Sequence, residues 1–177
     1  DTQWPPRATR FTRLYLDQGA LNATANPVAG SQQYFTNPVA GLSMSLDQYG
    51  TVAISPYLPT DQRLETGEGL TWRSAVLDQP MRLMGPSMLH LVAASTAKDT
   101  DWIAKMSDVG PDGSETLITN GYLRASHREV DPARSREGVP FHTHMNPAPI
   151  EPGTAYPYEV EIWQTAYELA AGHRLQI

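Results

Sequence analysis

The sequence predicts an all-β fold, a β-sandwich of the jelly-roll kind, from three observations. Apolar and polar residues alternate with a period of two through most of the chain after residue 49. Clusters of turn-forming residues cut those runs at short intervals. Fifteen prolines and thirteen glycines leave little room for helix, because proline removes a helical donor and glycine raises the entropic cost of ordering the backbone. Residues 1–177 are expected to form one domain, a size at which roughly 70% of the unfolded surface is buried without help from a disulfide or a metal.

Taken in order, residues 1–10 read as a linker entering the first strand. Trp4 precedes two prolines, which hold the backbone extended. Trp4 has no core pattern around it and is expected to pack on a neighbouring domain. Phe11 to Leu16 is a short β-rich run, and Asp17, Gln18 and Gly19 turn it. Residues 20–48 form a long loop region rich in Asn, Pro, Gly and Ser. Within it the segment Asn26 to Gly30 is echoed by Asn37 to Gly41, which reads as two similar turns rather than a repeat architecture.

The alternating runs follow. Leu89, Leu91 and Ala93 share a face, with Met88 and Val92 apolar on the other side. Trp102, Ala104 and Met106 lie opposite Lys105 and Ser107, and Tyr158, Val160 and Ile162 lie opposite Glu159 and Glu161. This is the pattern of a sheet with one buried face. Gly67 to Gly69, Gly85-Pro86, Pro111 to Gly113 and Pro152-Gly153 are the turns between runs. About eight to ten strands at this spacing give a sandwich or jelly roll. A short helical turn is expected near Tyr167 to Ala171, stopped by Gly172.

Composition limits the function. Net charge is −6 and no Lys/Arg run is present, so no basic stripe exists to neutralise nucleic-acid phosphates. Arg7, Arg10 and Arg13 are the densest basic stretch and read as solvated or paired with a neighbouring domain. No apolar run of membrane-spanning length and no signal peptide stand out, so no membrane partner is expected. The absence of cysteine excludes thiolate metal sites and points to a cytoplasmic protein, though many secreted bacterial proteins also lack cysteine. The first residue is Asp1, which reads as a fragment or a processed product.

A block of segments carries a resemblance. They run from Leu70 to Leu77 (LTWRSAVL), from Val92 to Gly113 (VAASTAKDTDWIAKMSDVGPDG) and from Thr119 to Arg128 (TNGYLRASHR). Glu151 to Gly153 (EPG), Glu161 to Ala166 (EIWQTA) and Ala171 to Leu175 (AGHRL) complete the set. In this order and spacing they resemble the C-terminal domain of X-Pro dipeptidyl-peptidase / cocaine esterase-like (CocE/NonD) serine hydrolases, shared with α-amino-acid ester hydrolases. The resemblance runs from about Phe11 to the last residue. That family usually has Trp-Pro-Thr-Ser where Trp163 to Ala166 stand here. It also continues beyond the Gly-His-Arg segment, so the last strand is expected to be truncated at Ile177.

The resemblance implies a galactose-binding-domain-like jelly roll packed on an α/β-hydrolase domain with a Ser-His-Asp triad and a helical cap. It implies a non-catalytic chain inside a serine hydrolase parent, bracing the catalytic domain and shaping its cleft. The partners implied are the α/β-hydrolase and cap domains of the parent chain. The fold also admits an alternative, a carbohydrate-binding module, which needs exposed aromatic rings on a groove. An apolar patch around Trp4, the 20–48 loop and the 130–150 segment is expected, covered by the hydrolase domain or by a second copy in a homo-oligomer.

The residues themselves name no catalytic group. Ser43 and Ser87 each match the first half of the Gly-x-Ser-x-Gly elbow and miss its last glycine, where Ser45 and Leu89 stand, and the strained turn requires small neighbours on both sides. His142 and His144 would point the same way on an extended strand and could share a metal, but no third ligand follows at a suitable spacing. They are expected to bond the backbone or line a domain interface, with no cofactor or metal required. Asp99 is expected to turn the chain. Asp101, next to Trp102, is expected to pair with Arg124, since an unpaired carboxylate beside a core ring is costly.

Overall fold

In the computed structural model, residues 3–28, 30–37 and 61–177 are described. They form an all-β fold with seven strands, β1 (Tyr15–Asp17), β2 (Ala20–Asn22), β3 (Met81–Ala93), β4 (Asp101–Val109), β5 (Glu115–Arg124), β6 (Tyr156–Leu169) and β7 (Arg174–Gln176). One helical turn, α1 (Arg63–Thr66), and a 3-10 turn over Ala125–His127 complete the regular structure. Hydrogen-bonded neighbours are β1 with β2, β3 with β6, and β5-β4-β7. Ser43 and residues 29 and 38–48 of the 20–48 loop lie outside the described residues.

The chain divides into two compact units. The first comprises Asp1–Thr9, Met84–Ala104 and Asn120–Thr165. Its core follows the alternation, for Tyr158, Val160 and Ile162 are all buried. The Trp102 and Tyr158 rings meet at 5.3 Å between centroids, tilted by 54°. Gly85 holds φ of +129° with Pro5 against its Cα, a backbone setting open only to glycine.

The second unit comprises Arg10–Leu83, Lys105–Thr119 and Ala166–Ile177. Here β1 and β2 form a tight antiparallel hairpin with Asp17 opposite Ala20. Gln18 and Gly19 turn it at φ of 42° and 86°, the mirror-image geometry that suits strand twist. Trp72 exchanges both backbone hydrogen bonds with Ile177, and Arg73 bridges Ala20 on one side and Gln176 on the other. The second hairpin, β4-β5, turns through Pro111, Asp112 and Gly113 as its sequence demands. Gly113 takes φ of +79°, Gly110 N donates to Ser114 O at 2.9 Å, and the Asp112 carboxylate accepts from Ser114 N and Oγ.

The helical turn expected at Tyr167 to Ala171 is absent. Strand β6 runs through Tyr167 to Leu169, because Tyr167 is held by a side-chain bond to Asp108 and Leu169 is fully buried. Only then does the chain turn, with Gly172 at φ of +85° and its N–H donating to Leu77 O.

Candidate functional site

Five groupings of polar or exposed side chains stand out. The first lies in the second unit. Asp108, buried on β4, accepts from Tyr167 Oη at 3.0 Å, and its other oxygen meets His173 Nδ1 at 2.8 Å. A carboxylate that orients an imidazole through Nδ1 is half of a hydrolytic triad. Ser87, the described serine that half-matches an elbow, sits in β3 after Pro86, in extended backbone rather than at a strand-to-helix turn. The Asp108–His173 pair therefore reads as a buried polar clamp between β4 and the segment entering β7.

A second polar cluster of this unit surrounds Glu115. Its carboxylate accepts from Arg73 at 2.6 Å and from Gln176 Nε2 at 2.9 Å, and also from Thr66 Oγ1. Arg73 Nε donates to Gln176 Oε1 at 2.5 Å. Lys105 pairs with Glu65 and donates to Gln62 at 3.2 Å. Burial holds the Lys105 ammonium below the usual lysine range.

The first unit carries the residues singled out in the sequence. Arg124 Nε donates to Asp99 Oδ2 at 2.8 Å, so its ion-pair partner is Asp99 and the expected Asp101–Arg124 pair does not form. Asp101 is exposed and acts on Arg124 only through space. Asp99 can curl back from the loop before β4 and also accepts from Ser126 N, Ser126 Oγ and Thr100 N. Burial pushes its carboxyl up, yet the bonds from Arg124, Ser126 and Thr100 outweigh it and hold the pKa at about 2.

Trp4 is 47% exposed, and its indole donates to Gln164 Oε1 at 2.5 Å. On the outer faces of β5 and β6, Tyr122 and Trp163 are 49% and 52% exposed, with ring centroids 6.4 Å apart and planes crossing at 69°. Met145 is 78% exposed. In the second unit, Val28, Tyr34 and Phe35 are exposed as well.

His142 and His144 do not share an extended strand. His142 pairs with Val130 in an isolated bridge, while His144 takes φ of +54°. His142 Nε2 lies 2.9 Å from Glu159 O; a carbonyl only accepts, so this nitrogen carries the proton. Sequence reasoning missed a third histidine, His127, whose Nδ1 lies 3.2 Å from His144 Nδ1. No sequence spacing signals that pair, because the loop folds back over the 3-10 turn to make it. A cleft of about 520 Å³ lies beside these residues, lined by Arg128, Val130, Arg136, Glu137 and Glu159 among others.

Residues 1–177 match the family described as the X-Pro dipeptidyl-peptidase C-terminal non-catalytic domain. The chain is similar to the cocaine esterase of a Rhodococcus species, 28% identical over 192 residues that cover all of this chain and 30% of that protein. Its fold is similar to a solved CocE/NonD family hydrolase from Staphylococcus aureus, with a TM-score of 0.77 and 20% identity over 98% of this chain and 29% of that one. It is also similar to a solved α-amino acid ester hydrolase, with a TM-score of 0.73 and 22% identity over 93% of this chain and 28% of that one. The chain spans 29–30% of the length of the curated relatives it matches.

Proposed function

The chain belongs to the family of X-Pro dipeptidyl-peptidase C-terminal non-catalytic domains, and from that premise we propose that it braces the α/β-hydrolase domain of a serine hydrolase parent and helps shape its cleft. The parent is an acyl esterase or an X-Pro dipeptidyl-peptidase-like enzyme, and its α/β-hydrolase and cap domains are the partners. The observation that carries this reading is the pairing of full family coverage with under a third of a relative's length. Acyl-transfer machinery then belongs to the remainder of such a protein. We take residues 1–177 as one jelly-roll domain, with 1–10 as its lead-in. Support comes from the family match over 1–177 and from a solved hydrolase aligned over 98% of the chain.

The exposed aromatic groups support the same reading. Rings crossing at 69° offer no flat platform for a sugar face, whereas a protein surface fills such a corner readily. Homo-oligomer formation is the lesser alternative for covering them. Among the described residues no helix is long and apolar enough to cross a membrane.

The test is fluorophosphonate labelling of the full-length protein, followed by peptide mapping. The label is expected on one serine outside residues 1–177. A label on Ser43, Ser45 or Ser87 would overturn the proposal. In the same protein, Trp163→Asp and Trp4→Asp are expected to lower thermal stability and to loosen the catalytic domain towards protease. Unchanged protease sensitivity in both variants would argue against bracing through this surface.

A further inference from the structure

We propose that His127 and His144 form a surface site for a late first-row divalent transition metal such as Zn2+, bound through the two Nδ1 atoms. The two nitrogens face each other at 3.2 Å, and the rings are 5.2 Å apart at their centroids. Two imidazole nitrogens bound to one tetrahedral zinc at about 2.0–2.1 Å stand about 3.3–3.4 Å apart. The observed separation is within about 0.2 Å of that edge. Neutral imidazole is also the ligand these ions favour.

The surroundings hold the pair in place. The 3-10 turn Ala125–His127 is pinned below by Ser126 on Asp99. Across from it, Ala148 N donates to Ser126 O at 2.8 Å, and Thr143 Oγ1 donates to Glu129 Oε2 at 2.7 Å. His144 is thus tied on both sides of its own position. It adopts φ of +54°, a setting few side chains accept, and that setting accompanies the approach of its ring to His127. His144 is exposed and His127 half-buried, so water completes the coordination shell.

A second observation concerns His142. Its ring lies 6.0 Å from that of His144. With Nε2 protonated toward Glu159 O, Nδ1 is a lone-pair acceptor, and it is buried with no donor. Closed off from solvent, that nitrogen stays outside the coordination shell. Glu129, tied to the same loop through Thr143, adds negative charge that favours a cation. Arg128, the nearby cation, turns away to Ala125 O and Ala148 O and over the Tyr156 ring. Among the described residues no group of three or more His, Cys, Asp or Glu side chains is arranged to hold a metal. The site is thus a two-histidine one, shared with water.

The experiment is calorimetric titration of tag-free, full-length protein with ZnCl2 at pH 7.5, comparing wild type with His127→Ala, His144→Ala and His90→Ala. His90 is exposed on β3 and serves as the control. One equivalent is expected in wild type and in His90→Ala, weakened at least tenfold in each of the other two. Zinc is also expected to raise the melting temperature of wild type, and not of those two variants. Should a variant fold poorly, long-range proton–nitrogen spectra of wild type decide the matter. Zinc is expected to move the Nδ1 resonances of His127 and His144 together. No zinc-dependent change at these two nitrogens, or equal affinity in all four proteins, overturns the site.

Discussion

Gly121 lies directly under the carbonyl of Glu161. A Cβ built on Gly121 would stand 2.7 Å from the Glu161 carbonyl carbon and 3.0 Å from Ile162 Cα, and closer still to the carbonyl oxygen. These are backbone atoms of a strand whose neighbours Val160 and Ile162 are buried, so they cannot swing aside as a flexible side chain would. Gly121→Ala is therefore expected to destabilise by about 3 kcal/mol, the upper end of what overpacking costs. Urea denaturation measures it. A loss below about 0.5 kcal/mol would show that β6 gives way freely.

Asp99 makes stability depend on acid. Its pKa is about 2 in the fold against an ordinary 3.8. Its contribution is fully present above pH 3.8 and disappears as pH falls toward 2. With Arg124 largely exposed, that contribution is about 1 kcal/mol. Asp99→Asn is expected to remove most of this acid-linked loss while lowering stability at pH 7. Melting curves at pH 7, 4 and 2.5 distinguish the two effects. A parallel decline in both proteins would exclude Asp99 as the acid-sensitive group.

The Asp108 clamp yields a prediction by direction and size. Asp108→Leu leaves Tyr167 Oη and His173 Nδ1 without their partner, at a cost of about 2–3 kcal/mol. Asp108→Asn keeps an acceptor and is expected to cost less than half as much. Equal losses in the two variants would mean that side-chain volume, rather than hydrogen bonding, matters at this position.

Glu115 is nearly inaccessible and takes bonds from Arg73, Gln176 and Thr66. Glu115→Ala takes the carboxylate from buried Gln176 Nε2 and from Thr66 Oγ1 and is expected to cost about 2 kcal/mol, while the Arg73 guanidinium, its side chain 43% exposed, regains water. Glu115 and Arg73 exchanged together for Leu and Met are expected to recover part of the loss. A double-mutant cycle supplies the coupling, and a coupling near zero would remove Arg73 from the cluster.

The buried face of β6 was legible because alternation reports burial there directly, whereas on β4 Ser107, expected to face outward, is buried beside Met106 and Asp108. Tyr158, Val160 and Ile162 were expected inside, and all are buried. The Pro111 to Gly113 turn was legible because positive φ at Gly113 is written into the residue type. Contacts made by loops were not. Arg124 reaches Asp99 rather than Asp101 because a residue just before a strand is free of its alternation and can bend back toward Ser126. His127 and His144 come together only through a returning loop, so neither spacing nor periodicity foretells them. The helical reading of Tyr167 to Ala171 failed because the Tyr167–Asp108 bond and the burial of Leu169 favour extended backbone. Tertiary contact outweighed local preference there.

Arg73 joins Ala20 to Gln176, and this fixes an order of events during synthesis. The β1-β2 hairpin leaves the ribosome well before β7, and the edge it offers through Arg73 gains its partner only when Arg174–Gln176 has emerged. Such a non-local closure is slow, since chain entropy is lost before any contact compensates for it. Nascent chains paused before residue 174 are therefore expected to keep an open β edge, the kind of surface that chaperones and neighbouring chains recognise.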